Sequence, residues 1–310
     1  MSVTVNGLLT VPRIATVGVF DGVHRGHRFL LEQLHALAAE RGAKSVVIAF
    51  GMHPATALGR PAPPLLTLRD EKVALLERMR SEEGLFDRLV VMDDVARVVA
   101  MSAHDFMADE LQRRMGVSTL LMGFDHRFGR EQRSDTTFYR TLGDTLGMEV
   151  LRAQQTPPID GLQPSSTTIR GLLEAGQVAT AAQLLGRCHG WNGVVIHGDQ
   201  RGRAIGFPTA NMRVDDHQSL PADGVYAATA RTESGRTHAA MLYIGRRPTF
   251  EGVERRVEAH LIGFDGDLYG QQLAVEAHRF LRGEQRFDSL EALKAQLVMD
   301  EKQIVEELTK

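Results

Sequence analysis

The stretch that most restricts what this chain can become runs from Thr16 to Leu34, TVGVFDGVHRGHRFLLEQL. The apolar run from Ile14 to Phe20 reads as a buried strand; it stops at Asp21-Gly22, and a helical pattern starts near His27. Between them lies His24-Arg25-Gly26-His27, which sets two imidazoles three residues apart on one face of a helix start. Backbone N–H groups and the helix dipole favour an anion there. Gly22 and Gly26 keep the backbone bare enough for a phosphate to approach. Imidazoles so placed hydrogen-bond phosphate oxygens and stabilise the charge that builds up when an α-phosphate is attacked. A tight turn with two surface histidines accounts for these four residues alone. Strand, Asp-Gly, histidine pair and helix together favour a nucleotide triphosphate.

The pattern around this stretch alternates strands with helices. Strands are expected at Lys44–Phe50, Arg88–Met92, Ser118–Phe124 and Met148–Ala153. Helices are expected at Thr67–Arg80, with Thr67 as N-cap, at Ser102–Met115 and at Asp135–Leu146. The Pro- and Ala-rich segment from Pro54 to Pro64 reads as a loop over the site. Such alternation implies a parallel sheet covered on both faces, with ligands beyond the carboxyl ends of its strands. From about Gly186 the apolar segments become short, alternating and glycine-separated: GVVIHG, VYAATART, THAAMLYIG, VEAHLIGF and QLAVEAHRFL. This second pattern predicts a small antiparallel barrel over residues 186–310, after an α/β domain over 1–185. Leu290, Leu293, Leu297, Ile304 and Leu308 recur at helical spacing, so a terminal helix from Ser289 to Leu308 is expected to pack on the barrel.

Composition narrows the function classes. A formal net charge of -3 argues against a general nucleic-acid binder while allowing a local basic pocket. The single cysteine, Cys188, reads as a small buried residue in a reducing compartment. No apolar run approaches the roughly 20 residues that span a bilayer. These features suit a cytoplasmic enzyme acting on small molecules, and self-association stays open.

Three further segments are expected to close around the histidines. His53 follows the second strand, where a plain loop histidine is an equal reading. Gly123 to Gly129 (GFDHRFG) mixes aromatics with Asp125 and suits a planar ring held between Phe faces, although strand-end acids also serve as turn formers. Pro164 to Arg170 (PSSTTIR) puts consecutive hydroxyls at a helix start and adds the forked cation of Arg170. In the second half, Gly198 to Asn211 (GDQRGRAIGFPTAN) has no Walker lysine pattern; Gly202 and Gly206 permit close approach to a ligand. Arg201 and Arg203 add charge there, and Thr209 and Asn211 offer hard oxygens of the kind Mg²⁺ accepts beside phosphate. Taken alone, this segment reads rather as a Gly/Pro turn with exposed polar residues.

The first stretch resembles the HxGH signature of the nucleotidylyltransferase superfamily, in the FDGxHxGH form of bacterial FAD synthetases. SSTTIR resembles that superfamily's second signature, and GFPTAN resembles the PTAN signature of riboflavin kinases. Gly245 to Phe250, Val257 to His260, Leu268 to Gly270 and Phe280 to Arg282 match the kinase family's following blocks. The resemblance covers essentially the whole chain, in the domain order of bifunctional FAD synthetases. It implies a Rossmann-like α/β nucleotidylyltransferase domain followed by an antiparallel β-barrel riboflavin kinase domain with a C-terminal helix.

The activities it implies are ATP-dependent phosphorylation of riboflavin and adenylyl transfer to FMN. FMN and FAD are then intermediate and product, and Mg²⁺ serves both steps. It also implies catalytic roles for His24, His27, Arg170 and Glu258, the last as base for the ribityl hydroxyl. ATP or phosphate contacts fall to Gly18, Phe20, Asp21, Gly22, Gly26, Ser165, Ser166, Thr167, Gly202, Gly206 and Pro208. Flavin contacts fall to Asp125 and Phe128, and metal contacts to Thr209 and Asn211. Pro164, His126 and Tyr243 stand where that family usually carries an aliphatic, an aromatic and a small polar residue, and no ligand role is assigned to Tyr243. Two rival classes stay open: a monofunctional adenylyltransferase with a non-catalytic flavin-binding barrel, and a non-catalytic flavin carrier.

Overall fold

A computed structural model gives the fold and describes residues 3–5, 8–124, 126–131, 133, 135–198, 201–249 and 252–309. Two short strands not expected from the sequence, β1 (Val3–Val5) and β2 (Leu8–Thr10), pair antiparallel at the start. Five strands then form a wholly parallel sheet: β3 (Arg13–Gly18), β4 (Lys44–Phe50), β5 (Arg88–Met92), β6 (Val117–Met122) and β7 (Glu149–Arg152). Their order across the sheet is β5-β4-β3-β6-β7. The connecting helices are α1 (Arg25–Glu40), α2 (Pro54–Ala57), α3 (Arg69–Ser81), α4 (Val95–Ala100), α5 (Ala103–Asp105) and α6 (Thr136–Leu146).

Period-two alternation explains why both faces of this sheet are covered. Val46, Ile48 and Phe50 of β4 join Ala15 and Val17 of β3 in one core, with Phe106 and Tyr139. Val47 and Ala49 join Ile14 in the opposite core, against Leu31 and Leu34 of α1 and Leu76 of α3.

Local chemistry moved several expected boundaries. Thr67 does not cap α3; Leu68 holds that position, because the Thr67 hydroxyl already accepts the Gly22 N–H at 3.0 Å. Glu71 reaches back to the Leu68 N–H instead. The helix expected over 102–115 starts as α5 and continues as a π-helix over Phe106–Arg114. Its buried Glu110 is paired with Arg97 at 2.9 Å and Arg114 at 3.0 Å. The loop expected over 54–64 opens with α2.

The second part begins with α7 (Ser166–Glu174) and α8 (Val178–Leu185). It continues with β8 (His189–Ile196), α9 (Arg201–Ala204), β9 (Ala210–Arg213) and β10 (Gly224–Thr232). β11 (Thr237–Thr249), β12 (Gly252–Leu261), β13 (Gln272–Arg282) and α10 (Leu290–Leu308) complete it. Its six strands close into a barrel in the order β10-β11-β12-β9-β8-β13, with all pairings antiparallel. The sequence had shown five of them; β9 is four residues long and carries too little apolar pattern to read.

Contacts divide the chain into one unit of Met1–Pro63 with Thr67–Pro164 and another of Pro64–Leu66 with Ser165–Lys310. The change of sequence pattern falls later, near Gly186, because α7 and α8 precede the first barrel strand. On the barrel, α10 is capped by Ser289, whose Oγ accepts the Ala292 N–H at 3.1 Å. Ile304 is buried and Leu297 and Leu308 pack with it, whereas Leu290 is 57% exposed. Asp300, also buried, pairs with Arg282 of β13 at 2.8 Å and so fixes the helix to the strand.

His189, at the start of β8, is buried and bonded through Nε2 to the Ser219 carbonyl at 2.8 Å. Burial holds its pKa down to about 4 from the ordinary 6.5. Above pH 6.5 the imidazole is neutral whether the chain is folded or not. Between pH 6.5 and 4 the unfolded chain takes up a proton that the folded one refuses, so stability falls as pH falls, by up to roughly 3 kcal/mol. Trp191, the single tryptophan, lies in the same strand, so its fluorescence reports unfolding of this unit. Urea midpoints are expected to drop from pH 7.5 to pH 5, with a flatter dependence in His189→Gln. An unchanged pH slope in that variant would assign the effect to other groups.

Candidate active sites

In the first unit the candidate site forms where β3 ends. Phe20 (φ 53°), Gly22 (φ 82°) and Val23 (φ 39°) all take left-handed backbone within four residues. Strain of this kind in two non-glycine residues persists only where the surroundings over-determine it. Thr67 provides part of that restraint: its N–H donates to Asp21 Oδ1 at 3.2 Å while its hydroxyl receives the Gly22 N–H. The corner aims the chain into α1, for which His24 is the N-cap.

The two imidazoles cap the helix for each other. The His27 N–H donates to His24 Nδ1, and the His24 N–H donates to His27 Nδ1, each at 3.3 Å. Their rings stack with centroids 3.7 Å apart, and the Phe20 ring lies 5.1 Å from that of His27. Since both Nδ1 atoms accept, a neutral ring in this arrangement carries its proton on Nε2. Gly26 is required by space: a Cβ there would come within 2.7 Å of the Pro164 carbonyl and 3.0 Å of the His24 ring. Gly18 likewise leaves room for the Phe20 ring, 3.0 Å from where its Cβ would stand. Gly18, Phe20, Asp21, Gly22, His24, Gly26 and His27 are therefore brought together, with Asp21 engaged in holding the corner.

The other segments of this unit divide. His53 accepts the Ala55 N–H at 3.1 Å as the N-cap of α2. Asp125 lies outside the described residues. The Phe128 ring is buried between Phe106 and Tyr139, at centroid distances of 5.3 and 4.5 Å. The aromatic of this segment that faces solvent is Phe124, with Arg152 over its ring at 4.5 Å.

In the second unit, Ser165 caps α7 by accepting the Thr168 N–H at 3.1 Å, and its hydroxyl meets that of Thr168 at 2.8 Å. Ser166 and Thr167 occupy the first turn, and Arg170 lies one turn on from Ser166 on the same side. Around the barrel, Asn211 of β9 stands directly opposite Glu258 of β12. Thr209, two residues before Asn211, donates its hydroxyl to Glu258 Oε2 at 3.2 Å. Arg256 reaches Glu258 Oε1 at 3.5 Å. Strand alternation thus sets Thr209, Asn211 and Glu258 on one face.

Thr209 lines two cavities. One, of about 830 Å³, is walled by Phe207, Val225, Met241, Tyr243 and Glu258. The other, of about 480 Å³, is walled by Arg203, Pro208, Phe264, Asp267 and Tyr269. Gly202 stands where a Cβ would overlap the Phe207 carbonyl, and Gly206 has φ 88°, so the turn before Pro208 needs both glycines. Sequence reasoning missed Arg256, and it left aside Tyr243, which faces Glu258 across β11–β12 and donates its hydroxyl to Glu284. Burial and that bond push the Tyr243 phenol well above its ordinary range.

Among the described residues no cluster of three or more His, Cys, Asp or Glu is arranged to hold a metal. Thr209 and Asn211 beside Glu258 fit a cation that arrives with a phosphate, since Mg²⁺ keeps few protein ligands.

Comparison with known proteins agrees with this geometry. A family model described as riboflavin kinase matches residues 185–308, and one described as FAD synthetase matches residues 10–168. The bifunctional riboflavin kinase/FMN adenylyltransferase of Escherichia coli K12 is 37% identical over 289 residues, covering 93% of this chain and 90% of its own. A protein of the same description from Listeria monocytogenes is 32% identical over 302 residues, covering 96% and 93%. A crystal structure titled as a macrolide-efflux protein from Streptococcus pneumoniae superposes with a TM-score of 0.80 at 30% identity, covering 94% and 93%. Among the described residues no helix is long and apolar enough to cross a membrane.

The packing at Gly26 gives a direct test of the paired histidines. Gly26→Ala is expected to separate the rings, seen as altered imidazole NMR signals, while Trp191 fluorescence in the second unit stays unchanged. Unaltered imidazole signals would show that the corner tolerates the added methyl group.

Proposed function

The chain belongs to the bifunctional riboflavin kinase/FMN adenylyltransferase family, and from that premise we propose that it converts riboflavin to FMN and FMN to FAD. In the first reaction the γ-phosphoryl group of ATP moves to the ribityl hydroxyl of riboflavin, leaving FMN and ADP. In the second the FMN phosphate attacks the α-phosphate of another ATP, leaving FAD and pyrophosphate. The observation that carries the kinase assignment is the bond to Glu258, in the wall of the larger cavity, from Thr209, which lines both cavities. One cavity is roomy and largely apolar, as a flavin ring needs, and the other is smaller. A barrel that only bound flavin would have no use for a carboxylate oriented at their junction.

Glu258, with one oxygen held by Thr209 and the other near Arg256, acts as the base that takes the ribityl hydroxyl proton. Thr209 and Asn211 hold Mg²⁺ together with the ATP phosphates, and the ion neutralises phosphate charge. Gly202, Gly206 and Pro208 shape the turn along which those phosphates lie. For adenylyl transfer, Nε2–H donors of His24 and His27 face the charge that develops at the α-phosphate, beside the N–H groups of the α1 start. Ser165, Ser166, Thr167 and Arg170 offer donors suited to phosphate at the start of α7, and Asp125 with the exposed Phe124 contacts the flavin. Dependence on ATP places the work in the cytoplasm.

Incubation with riboflavin, ATP and Mg²⁺, followed by chromatography of the flavins, tests this reading. FAD is the expected end product. Formation of FAD only from supplied FMN would favour the monofunctional alternative, and no new flavin would favour a carrier. Glu258→Gln is expected to slow riboflavin phosphorylation by about 10²–10⁴-fold and to spare conversion of supplied FMN. His27→Ala is expected to do the reverse, losing roughly 2.7–4 kcal/mol of transition-state stabilisation in FAD formation. A folded variant of either kind with unchanged rates would remove that residue from the mechanism.

A further inference from the structure

Lys72 is a buried cation that the chemistry above leaves unused. It lies in the first turn of α3 and is only 4% exposed. Its Nζ donates to the Phe50 carbonyl at 2.5 Å, at the last residue of β4. The charged groups that act on it are Asp21, just beyond β3, Asp93, just beyond β5, and Arg69 on its own helix. Arg69 is itself bound by Asp93 through two bonds of 2.7 Å. Gly51, next to Phe50, has no Cβ, and the Asp93 carboxylate fills that space. The amine therefore answers to the carboxyl ends of three adjacent parallel strands, the edge where ligands of such sheets bind. A lysine is poorly suited to this position on local grounds alone. The first turn of a helix is its positive end, and burial strips water from the ammonium.

We propose that Lys72 is a positioning residue for the adenylyl transfer assigned above: its ammonium is anchored on the end of β4, which lies between β3 and β5, and supplies buried positive charge to the Asp21–His24 corner. The inference rests on that reading of the first unit. Asp21 is already bonded to Thr67, whose hydroxyl holds Gly22, so the charge on Lys72 acts on the turn that aims both histidines. In a site partly shielded from water, a nearby fixed cation also favours the anionic triphosphate more than it would in bulk solvent. A neutral donor would satisfy the Phe50 carbonyl equally well. Charge therefore separates a peg from a positioning residue.

Burial lowers the Lys72 pKa to about 8, with Asp21 and Asp93 opposing the shift and Arg69 adding to it. At pH 7 the amine is mostly charged, and it loses its proton as pH rises through about 8. The test is kcat/KM for FAD formation from FMN between pH 6 and 10, a parameter that reports groups of the free enzyme. The full-length wild-type protein is expected to lose activity on the alkaline side near pH 8. Lys72→Gln keeps a donor for Phe50, and is expected to lower kcat/KM about tenfold at pH 7 and to abolish that limb. Lys72→Arg, charged throughout the range, is expected to recover most of the pH 7 activity while also lacking the limb. Circular dichroism and a urea unfolding curve of each variant serve as the control for folding of the first unit, and riboflavin phosphorylation as the control for the second.

A folded Lys72→Gln variant with wild-type kcat/KM and an unmoved limb would overturn the proposal. Should that variant fail to fold, a folded Lys72→Arg protein that still loses activity near pH 8 would overturn it equally. Wild-type protein that forms no FAD from supplied FMN overturns the adenylyltransferase reading itself. Activity without a limb dependent on Lys72 overturns this inference alone.

Discussion

The strand-to-helix corner of the first unit depends on the reciprocal pair of hydrogen bonds between His24 and His27. A helix start leaves backbone N–H groups to be satisfied, and Ser, Thr, Asp or Asn usually does so. Here imidazole nitrogens do it instead. One interaction thereby ends the strand-to-helix corner, fixes the rotation of both rings and selects the tautomer each carries. The left-handed residues before it and the missing side chain at Gly26 are what allow the rings to stack. The rest of the sheet provides rigidity: two cores on opposite faces hold β3 and β4 so that the corner starts from a fixed point.

The second unit solves a comparable problem by cross-strand register. Glu258 is placed by its pairing with Asn211 and Tyr243 on the two flanking strands, and by the Thr209 hydroxyl. No helix terminus is involved. On the proposed function the two units would reach phosphate chemistry by different physical means, one through a helix start and the other through a pleated wall with oxygen donors.

Much of this was legible in the sequence, for identifiable reasons. Lys44–Phe50 could be read as a strand because its residues are apolar on both alternating sets, and both sets are in fact buried. Thr209 and Asn211 offered hard oxygens by residue type, whereas Glu258 was singled out only by the resemblance to riboflavin kinases. The strand that brings them into register gave no such signal, since β9 is short and half of it faces the site. Thr67 looked like a cap because local pattern cannot show that its hydroxyl is claimed by Gly22, distant in sequence. Phe128 looked like a ring-binding residue by composition, yet its aromatic neighbours Phe106 and Tyr139 draw it into the core. Lys72 carries no signal in the sequence, and its burial shows only where its amine meets the end of β4. What escaped reading in each case was a partner far along the chain.

The closure of the barrel has a consequence for how this half can change over time. β9, which starts directly after Thr209, both completes the ring and carries Asn211 opposite Glu258. In an open sheet, an edge strand can drift, lengthen or be lost while the centre keeps its shape. Here the shortest link of a closed ring offers no such freedom, because losing it would bare the pairing edges of β8 and β12 at once. Retention of the fold and retention of the phosphate wall are therefore under a single selection. A descendant of this barrel that abandoned catalysis would still be held to nearly the same backbone at β9, and its change of role would be written first in side chains.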